Sequence, residues 1–398
     1  MGYLGRSPTP SPIDTSDIPA NSIDASKIID GAIAVADVAD NAITEDKIAD
    51  AAVVSLKSGR KNLIINGGFD VWQRGTSTAL TVSAYVSDRF YSSLAGATSS
   101  RFTVSKSSDA PDGASNSLKW ECTTAEPTIG TTSAVYNDYR FEGQDVQQLA
   151  YGTSGAKSVT LSFWVKSNKV GTYVAWFYNA TAVRHNAGTY AVDTADTWEK
   201  KTITITGDTV SAIGNTSAAG LFVRFVYVTG TAYGGGTQVT SWSPITSANR
   251  YADQSVNLAD TVGNYIELAN VQLELGSVAT DFEHRSYGEE LALCQRYYWR
   301  SEPVFRIPLS TNLNGGNDYN FCYIQHPVEM RVAPAIGYKD GDNNATKFSY
   351  HSNSYWSNRI SNLSQYHALL SSTGVRLVCN PYTGFDAFIK DFTADAEL

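Results

Sequence analysis

Ser158-Val159-Thr160-Leu161-Ser162-Phe163-Trp164-Val165-Lys166 alternates residue by residue. Val159, Leu161, Phe163 and Val165 fall on one side of an extended chain; Thr160, Ser162, Trp164 and Lys166 fall on the other. Period two marks a strand with one face in a core, whereas a helix would scatter these residues around its axis. Thr172–Asn179, Lys201–Thr206 and Leu221–Val228 alternate in the same way. Turn-rich stretches separate them, and short strands so spaced predict a β-sandwich. Tyr265–Leu275 is predicted as its long final strand, bulged near Asn270.

Upstream, Lys61-Asn62-Leu63-Ile64-Ile65-Asn66-Gly67-Gly68-Phe69-Asp70-Val71-Trp72-Gln73-Arg74-Gly75 opens the globular part. Leu63 to Ile65 is predicted as a strand and Asn66-Gly67-Gly68 as a turn. Downstream, Ser286-x-x-Glu289 predicts a capping box for a short helix. Leu291, Cys294 and Tyr298, at i, i+3 and i+7, would form its apolar face. Beyond it, Phe321–Gln325, Ala335–Tyr338 and Arg376–Asn380 are predicted strands, punctuated by Pro308, Pro327, Pro334 and Pro381. They predict a second, smaller β domain.

A different texture fills Ile13 to Val53. Every fifth residue is a β-branched aliphatic: Ile13, Ile18, Ile23, Ile28, Ile33, Val38, Ile43, Ile48 and Val53. A ten-residue repeat overlies this ladder, in Asn21-Ser22-Ile23, Gly31-Ala32-Ile33, Asn41-Ala42-Ile43 and Ala51-Ala52-Val53. Five steps of ~100° leave successive ladder residues ~140° apart on a helix, so no apolar stripe forms. On a strand, an odd step alternates faces. Identical chains wound about a common axis bury the ladder in shared layers, so residues 13–58 are read as an intertwined trimeric shaft with these nine positions at its axis. Fully extended, ~40 residues span at most about 130–145 Å. The competing readings are disorder, which does not call for aliphatics in register, and a pentapeptide-repeat β-helix. That coil wants a small residue two before each ladder position, where Asn21, Asn41 and Asp46 stand.

Length predicts two or three domains. The organisation read from the chain is a tether over 1–12, the shaft over 13–58, a β-sandwich over 61–286 and a tip domain over 287–398. Charged residues make up 17% and aromatics 12%, led by 23 Tyr and 8 Trp. This is the profile of an all-β extracellular or virion protein. The net charge of −9 argues against nucleic acid and an anionic membrane as partners. No apolar run reaches the ~18 residues of a membrane span, and the start lacks the apolar region of a signal peptide. Cys122, Cys294, Cys322 and Cys379 form no C-x-x-C and are read as free buried thiols, consistent with assembly in a reducing cytoplasm.

Three stretches together resemble phage tail fibre and receptor-binding proteins. They are the shaft with its G-A-I and D-K-I steps; Asn62–Gly75 followed by Tyr85-x-x-Asp88-Arg89-Phe90; and Val271-Gln272-Leu273-Glu274-Leu275-Gly276-x-x-Ala279-Thr280-x-Phe282-Glu283, running into Leu291–Tyr298. The last two bracket what resembles a jelly roll of the carbohydrate-binding-module kind. Met330-Arg331-Val332-Ala333-Pro334 resembles a step in the tips of such fibres, and the first dozen residues resemble their virion-anchoring start. The resemblance implies a homotrimer held to the phage tail or an adaptor protein by Met1, Tyr3, Leu4 and Arg6. Its C-terminal domains would face the host cell and bind a surface glycan. It also implies a virion tail appendage made in the host cytoplasm. A capsid-attached head fibre and a polysaccharide depolymerase are the alternative functions.

No H-E-x-x-H, G-x-S-x-G elbow or phosphate loop occurs, and Gly234-Gly235-Gly236 is read as a hairpin loop. The histidines are unclustered. No metal, cofactor or catalytic residue is assigned, and the chain is read as a binding protein rather than an enzyme. A glycosidase needs only two spaced carboxylates, and Asp88, Asp138, Glu267, Glu274 and Glu283 are available. Sugar binding by sandwiches uses aromatic platforms beside polar groups. Trp164, Trp176 and Tyr178 in the predicted strands, and Tyr319, Tyr350, Tyr355 and Trp356 in the polar tip segment, are the candidates. The tip group is expected to carry the host contact.

Overall fold

A computed structural model of the chain describes residues 60–96, 101–301, 305–307, 320–339, 349–352, 355–357, 369–379 and 387–398. The ladder from Ile13 to Val53, the tether residues Met1, Tyr3, Leu4 and Arg6, and Tyr319 lie outside the described residues.

The alternating stretches form two antiparallel sheets packed face to face. Their strands are β1 (Ser77–Leu80), β2 (Ala84–Tyr85), β3 (Phe90–Ala95), β4 (Phe102–Ser107), β5 (Ser117–Cys122), β6 (Ala134–Glu142), β7 (Val159–Ser167), β8 (Gly171–Asn179), β9 (Arg184–Val192), β10 (Glu199–Ile205), β11 (Ala219–Thr229), β12 (Ser243–Pro244) and β13 (Tyr265–Leu275). One sheet is six-stranded, ordered β1-β4-β5-β13-β7-β10; the other is seven-stranded, ordered β12-β9-β8-β11-β6-β3-β2. From β6 onward the chain passes repeatedly between the sheets, giving a wrap of the jelly-roll type.

Val159, Leu161, Phe163 and Val165 are all buried in the core, as their alternation predicts. Phe163 reaches across to the seven-stranded sheet and meets Tyr190 and Phe225 edge-on, with ring centroids 4.9 and 5.0 Å apart. Burying each such aliphatic or aromatic side chain stabilises the fold by about 1.5–3 kcal/mol.

β13 carries the expected bulge. Its register with β7 shifts between Ala269 and Gln272, and Asn270 there has φ 48°. Asn tolerates this left-handed conformation better than bulkier residues.

Leu63–Ile65, predicted as a strand, is not one. The segment runs beside β13: Leu63 N donates to Leu273 O (2.9 Å) and Val271 N to Gly67 O (2.9 Å). Between those bonds the Asn62 side chain takes the partner's place. Its Oδ1 accepts from Leu273 N (3.1 Å) and its Nδ2 donates to Val271 O (3.2 Å). A side chain standing in for backbone breaks the ladder. The Asn66-Gly67-Gly68 turn forms as expected, with Asn66 at φ 59° and its side chain bonded to Val71 N, Val71 O and Asp88 O.

The helix Tyr287–Gln295 is capped by Ser286, whose Oγ accepts from Glu289 N (3.4 Å). Its expected apolar face is only partly realised. Cys294 is buried, but the other buried helical residue is Glu290, which accepts from Asn66 N and lies 3.4 Å from Arg285 Nη1. Tyr298 falls beyond the helix, because the chain turns into a strand before the third turn closes. Gly234 ends a single helical turn, Thr231–Gly234, rather than sitting in a hairpin loop.

The remaining strands are β14 (Tyr298–Arg300), β15 (Phe305–Ile307), β16 (Asn320–Gln325), β17 (Ala335–Lys339), β18 (Ser349–Ser352), β19 (Tyr355–Ser357), β20 (Leu369–Leu370), β21 (Gly374–Cys379) and β22 (Ala387–Asp395). β22 pairs with β14, β15, β17 and β18, and β16, β21 and β20 form a separate three-stranded sheet.

Buried charge ties these strands to the sandwich. Arg89 Nη1 binds Glu397 Oε2 at 2.5 Å, and its guanidinium lies 3.4 Å from the Tyr297 ring centroid. Arg74 stacks 3.5 Å from the Tyr298 ring centroid, between Asp88 and Glu397. Arg296 grips Glu142 with two 3.0 Å bonds, and Tyr297 Oη donates to the same carboxylate. Arg331 donates to Ala396 O, Glu397 O and Ser217 O. The motif residues Arg74, Asp88, Arg89 and Arg331 thus converge on one joint, and the described residues belong to one compact unit.

Candidate functional site

The outer face of the seven-stranded sheet is built as a grid by strand register. In one row, Ala187, Trp176, Arg224, Asp138, Tyr91 and Tyr85 are successive cross-strand partners. In the next, His185, Tyr178, Phe222 and Arg140 stand in line. Cross-strand partners share a face, so six strands together supply an aromatic surface inlaid with three charges.

The first row is largely roofed. The segment between β11 and β13 lays Tyr251 over Trp176, edge-on at 5.9 Å, with its hydroxyl bonded to Arg224. Arg224 takes Asp138 with two bonds, and its guanidinium is 3.5 Å from the Tyr136 ring centroid. Burial pulls the Arg224 pKa down, but Asp138 outweighs it and the value ends above the ordinary arginine range. His185 accepts from Trp176 Nε1 at Nδ1 (2.9 Å) and is fully buried. Burial, aided by the charge of Arg250, pushes its pKa down to about 4. The imidazole is therefore neutral near pH 7 and carries its proton on Nε2.

Beyond the buried His185, the second row is open. Tyr178, Phe222, Arg140 and the neighbouring Tyr91 are each half-buried. Tyr178 stacks on Trp176 at 4.9 Å and 12°, and meets Phe222 edge-on at 5.5 Å. The Arg140 guanidinium lies 4.1 Å from the Tyr91 ring centroid and 5.3 Å from that of Phe222. It is held by a 2.5 Å bond to Leu398 O and by Asp138 Oδ2 at 3.6 Å. These rings are held by contacts with their neighbours on the face, so their exposed surface is preorganised for a flat apolar ligand face.

Of the aromatic residues expected from the sequence, Tyr178 lies in this open row and Trp176 is buried beneath the roof. Trp164 lies half-buried on the six-stranded sheet, with the register partners Ala269 and Lys200. In the hairpin of β18 and β19, Tyr350 pairs with Ser357, Trp356 with His351 and Tyr355 with Ser352. Phe222 and Arg140 were not among the expected residues. Phe222 occupies a polar-side position of an alternating strand, a signal available in the sequence. Arg140 belongs to β6, whose Tyr136, Asp138 and Arg140 alternate against Val135, Tyr139 and Phe141.

The five carboxylates named from the sequence are each engaged in hydrogen bonds or ion pairs. Asp88 accepts from Gln73 N and Nε2, both at 2.7 Å, and burial pushes its pKa up to about 6. Glu267 accepts from Ser117 Oγ, and burial raises its pKa. Glu274 holds Thr280 N and Oγ1, and Glu283 holds Lys61 N and Asn62 N. Cys122 and Cys294 are free and buried, as expected. Among the described residues, no group of His, Cys, Asp and Glu is placed to hold a metal ion, and no helix is long and apolar enough to cross a membrane.

Fold and face together define an all-β sandwich of the jelly-roll type with an aromatic outer sheet. No family model and no curated protein matches the sequence. Among solved structures, the chain is similar to the enzymatically active domain of tailspike protein 4 of bacteriophage CBA120, at 13% identity and a TM-score of 0.27, covering 54% of this chain and 21% of that one. It is similar to a putative sugar binding protein from Bacteroides thetaiotaomicron at 12% identity and a TM-score of 0.31, covering 54% of this chain and 100% of that one. It is also similar to a family 11 carbohydrate-binding module from Clostridium thermocellum, solved with a mixed-linked tetrasaccharide, at 11% identity and a TM-score of 0.25, covering 48% of this chain and 91% of that one.

Proposed function

We propose that this chain is a trimeric tail fibre of a phage and that its sandwich binds a host-surface glycan through the open row on the seven-stranded sheet. The observation that carries the reading is Tyr178, Phe222, Arg140 and Tyr91 standing in contact, only partly buried, on one face of the sheet. Aromatic rings stack on the apolar faces of sugars and offer large contact area at low conformational-entropy cost. The guanidinium between them supplies donors for ring oxygens and hydroxyls.

The ladder from Ile13 to Val53 supports trimerisation, and three copies turn a weak sugar contact into stable attachment, because the second contact is intramolecular. The first dozen residues anchor the fibre to the tail or to an adaptor. The fibre binds its glycan without cleaving it; in support, every carboxylate considered for catalysis is held in structural bonds.

Adsorption of virions carrying Tyr178→Ala with Phe222→Ala tests the reading, alongside virions carrying Tyr355→Ala with Trp356→Ala. Each stacking ring contributes on the order of 1–2 kcal/mol, so the first pair is expected to weaken glycan binding more than tenfold. Unchanged adsorption with the first pair, together with its loss in the second, moves the contact to the tip. Release of reducing ends from host polysaccharide overturns the non-enzymatic reading.

A further inference from the structure

We infer that the sandwich has a second saccharide site, on the outer face of the six-stranded sheet, where Trp164 and Trp198 offer ring faces and Asp109 and Lys200 read sugar hydroxyls. The inference takes from the proposed function only that the chain binds glycans; the open row lies on the other sheet.

Strand register lays the site out. Trp164 on β7 is the cross-strand partner of Lys200 on β10. Lys166 follows Trp164 by two residues on the same face of β7, and Trp198 precedes Lys200 by two. Side chains two apart on one strand face are about 7 Å from each other, so these four form a compact patch. Asp109, from the loop between β4 and β5, reaches over it. Trp198 Nε1 donates to Asp109 Oδ1 (2.9 Å), and Lys166 Nζ donates to Asp109 Oδ2 (2.6 Å). The first bond holds the Trp198 indole by its edge and leaves its faces uncommitted. Both indoles are partly exposed. Trp176 and Tyr178 stack on each other, and Tyr251 covers Trp176. Among the described residues, no ring or cation packs on Trp164 or Trp198.

The hydrogen-bonding capacity left at the patch includes both acceptors and donors. A carboxylate offers about four lone-pair sites. Asp109 spends two of its own on Trp198 and Lys166 and keeps 47% of its side chain accessible. Those two bonds hold its carboxyl below the usual aspartate range, so it is ionised at neutral pH and can accept further. On the donor side, the Trp164 indole N–H and the exposed Lys200 ammonium have no hydrogen-bond partner among the described residues. A hydroxyl both donates and accepts. A sugar ring lying on either indole can therefore give a proton to Asp109 and take one from Lys200 or Trp164.

The test titrates the full chain with neutral oligosaccharides of glucose, galactose, mannose and N-acetylglucosamine in a calorimeter. We expect two sites per chain. Trp198→Ala should weaken one of them more than tenfold and leave the other unchanged, and Tyr178→Ala with Phe222→Ala should do the reverse. Lys200→Ala, an exposed change on an edge strand, should weaken the first site about three- to tenfold with the urea unfolding midpoint unchanged; it carries the test if Trp198→Ala unfolds the sheet. A single site indifferent to Trp198→Ala and Lys200→Ala overturns this inference and leaves the open row standing. A single site lost in those variants but indifferent to the Tyr178 and Phe222 changes supports the inference and overturns the open row. Failure of the unaltered chain to bind any member of the panel overturns the second site.

Discussion

Arg224 and Asp138 are cross-strand partners on β11 and β6. The guanidinium takes the carboxylate in bidentate fashion, Nε to Oδ1 at 2.5 Å and Nη2 to Oδ2 at 2.8 Å. The pair sits in the row beside the open aromatic row and under Tyr251, so it ties the sheet to its roof.

Removing one partner leaves the other buried and uncompensated. Asp138→Ala is expected to cost about 3–5 kcal/mol in urea unfolding, whereas Asp138→Leu with Arg224→Met should recover most of that loss. A cost below about 1 kcal/mol for Asp138→Ala would mean that solvent already reaches the pair.

Asp88 gives the joint a pH dependence of defined sign. Its folded pKa of about 6 lies above the ordinary 3.8, because burial outweighs Arg74 and the Gln73 bonds. The folded state therefore holds the proton more tightly than the unfolded chain. The resulting stabilisation is full below the unfolded value and is lost as pH rises through the folded one. Asp88→Asn should remove this term. Between about pH 4 and pH 7 the unfolding free energy of the unaltered protein should fall by about 1–3 kcal/mol relative to the variant. Parallel stability curves for the two proteins would rule the effect out.

Gly67 has no room for a side chain. A Cβ there would stand 2.0 Å from Val271 O, the backbone of the bulged strand. Gly67→Ala is expected to destabilise the sandwich by about 1–3 kcal/mol, lowering the urea midpoint at unchanged slope. An unchanged midpoint would mean that the segment shifts away from β13 freely.

The shaft makes its prediction through oligomeric state. Ile33→Asp with Ile43→Asp puts uncompensated charge on the proposed trimer axis. Light scattering should report a trimer for the unaltered chain and loss of the trimer in the variant, while the sandwich keeps its own unfolding transition. A monomeric unaltered chain would sink the shaft.

Val159, Leu161, Phe163 and Val165 were readable as core, and Asn270 as a bulge, because these depend on neighbours one or two residues away. Side-chain alternation is a property of the extended backbone itself, and a left-handed position favours Asn wherever it falls. Ser286 and Glu289 announced their helix by the same local logic. The joint and the open row are of another kind. Asp138 and Arg224 are 86 residues apart, and Arg89 and Glu397 are 308 apart. Nothing local distinguishes Asp88 as a buried structural acceptor from Asp88 as a catalytic acid. Trp176 and Tyr178 share one face of one strand, yet only Tyr178 lies in the open row, because a segment more than seventy residues on lays Tyr251 over Trp176. Register across strands set which rings touch which charges, and register is fixed by packing the two whole sheets together.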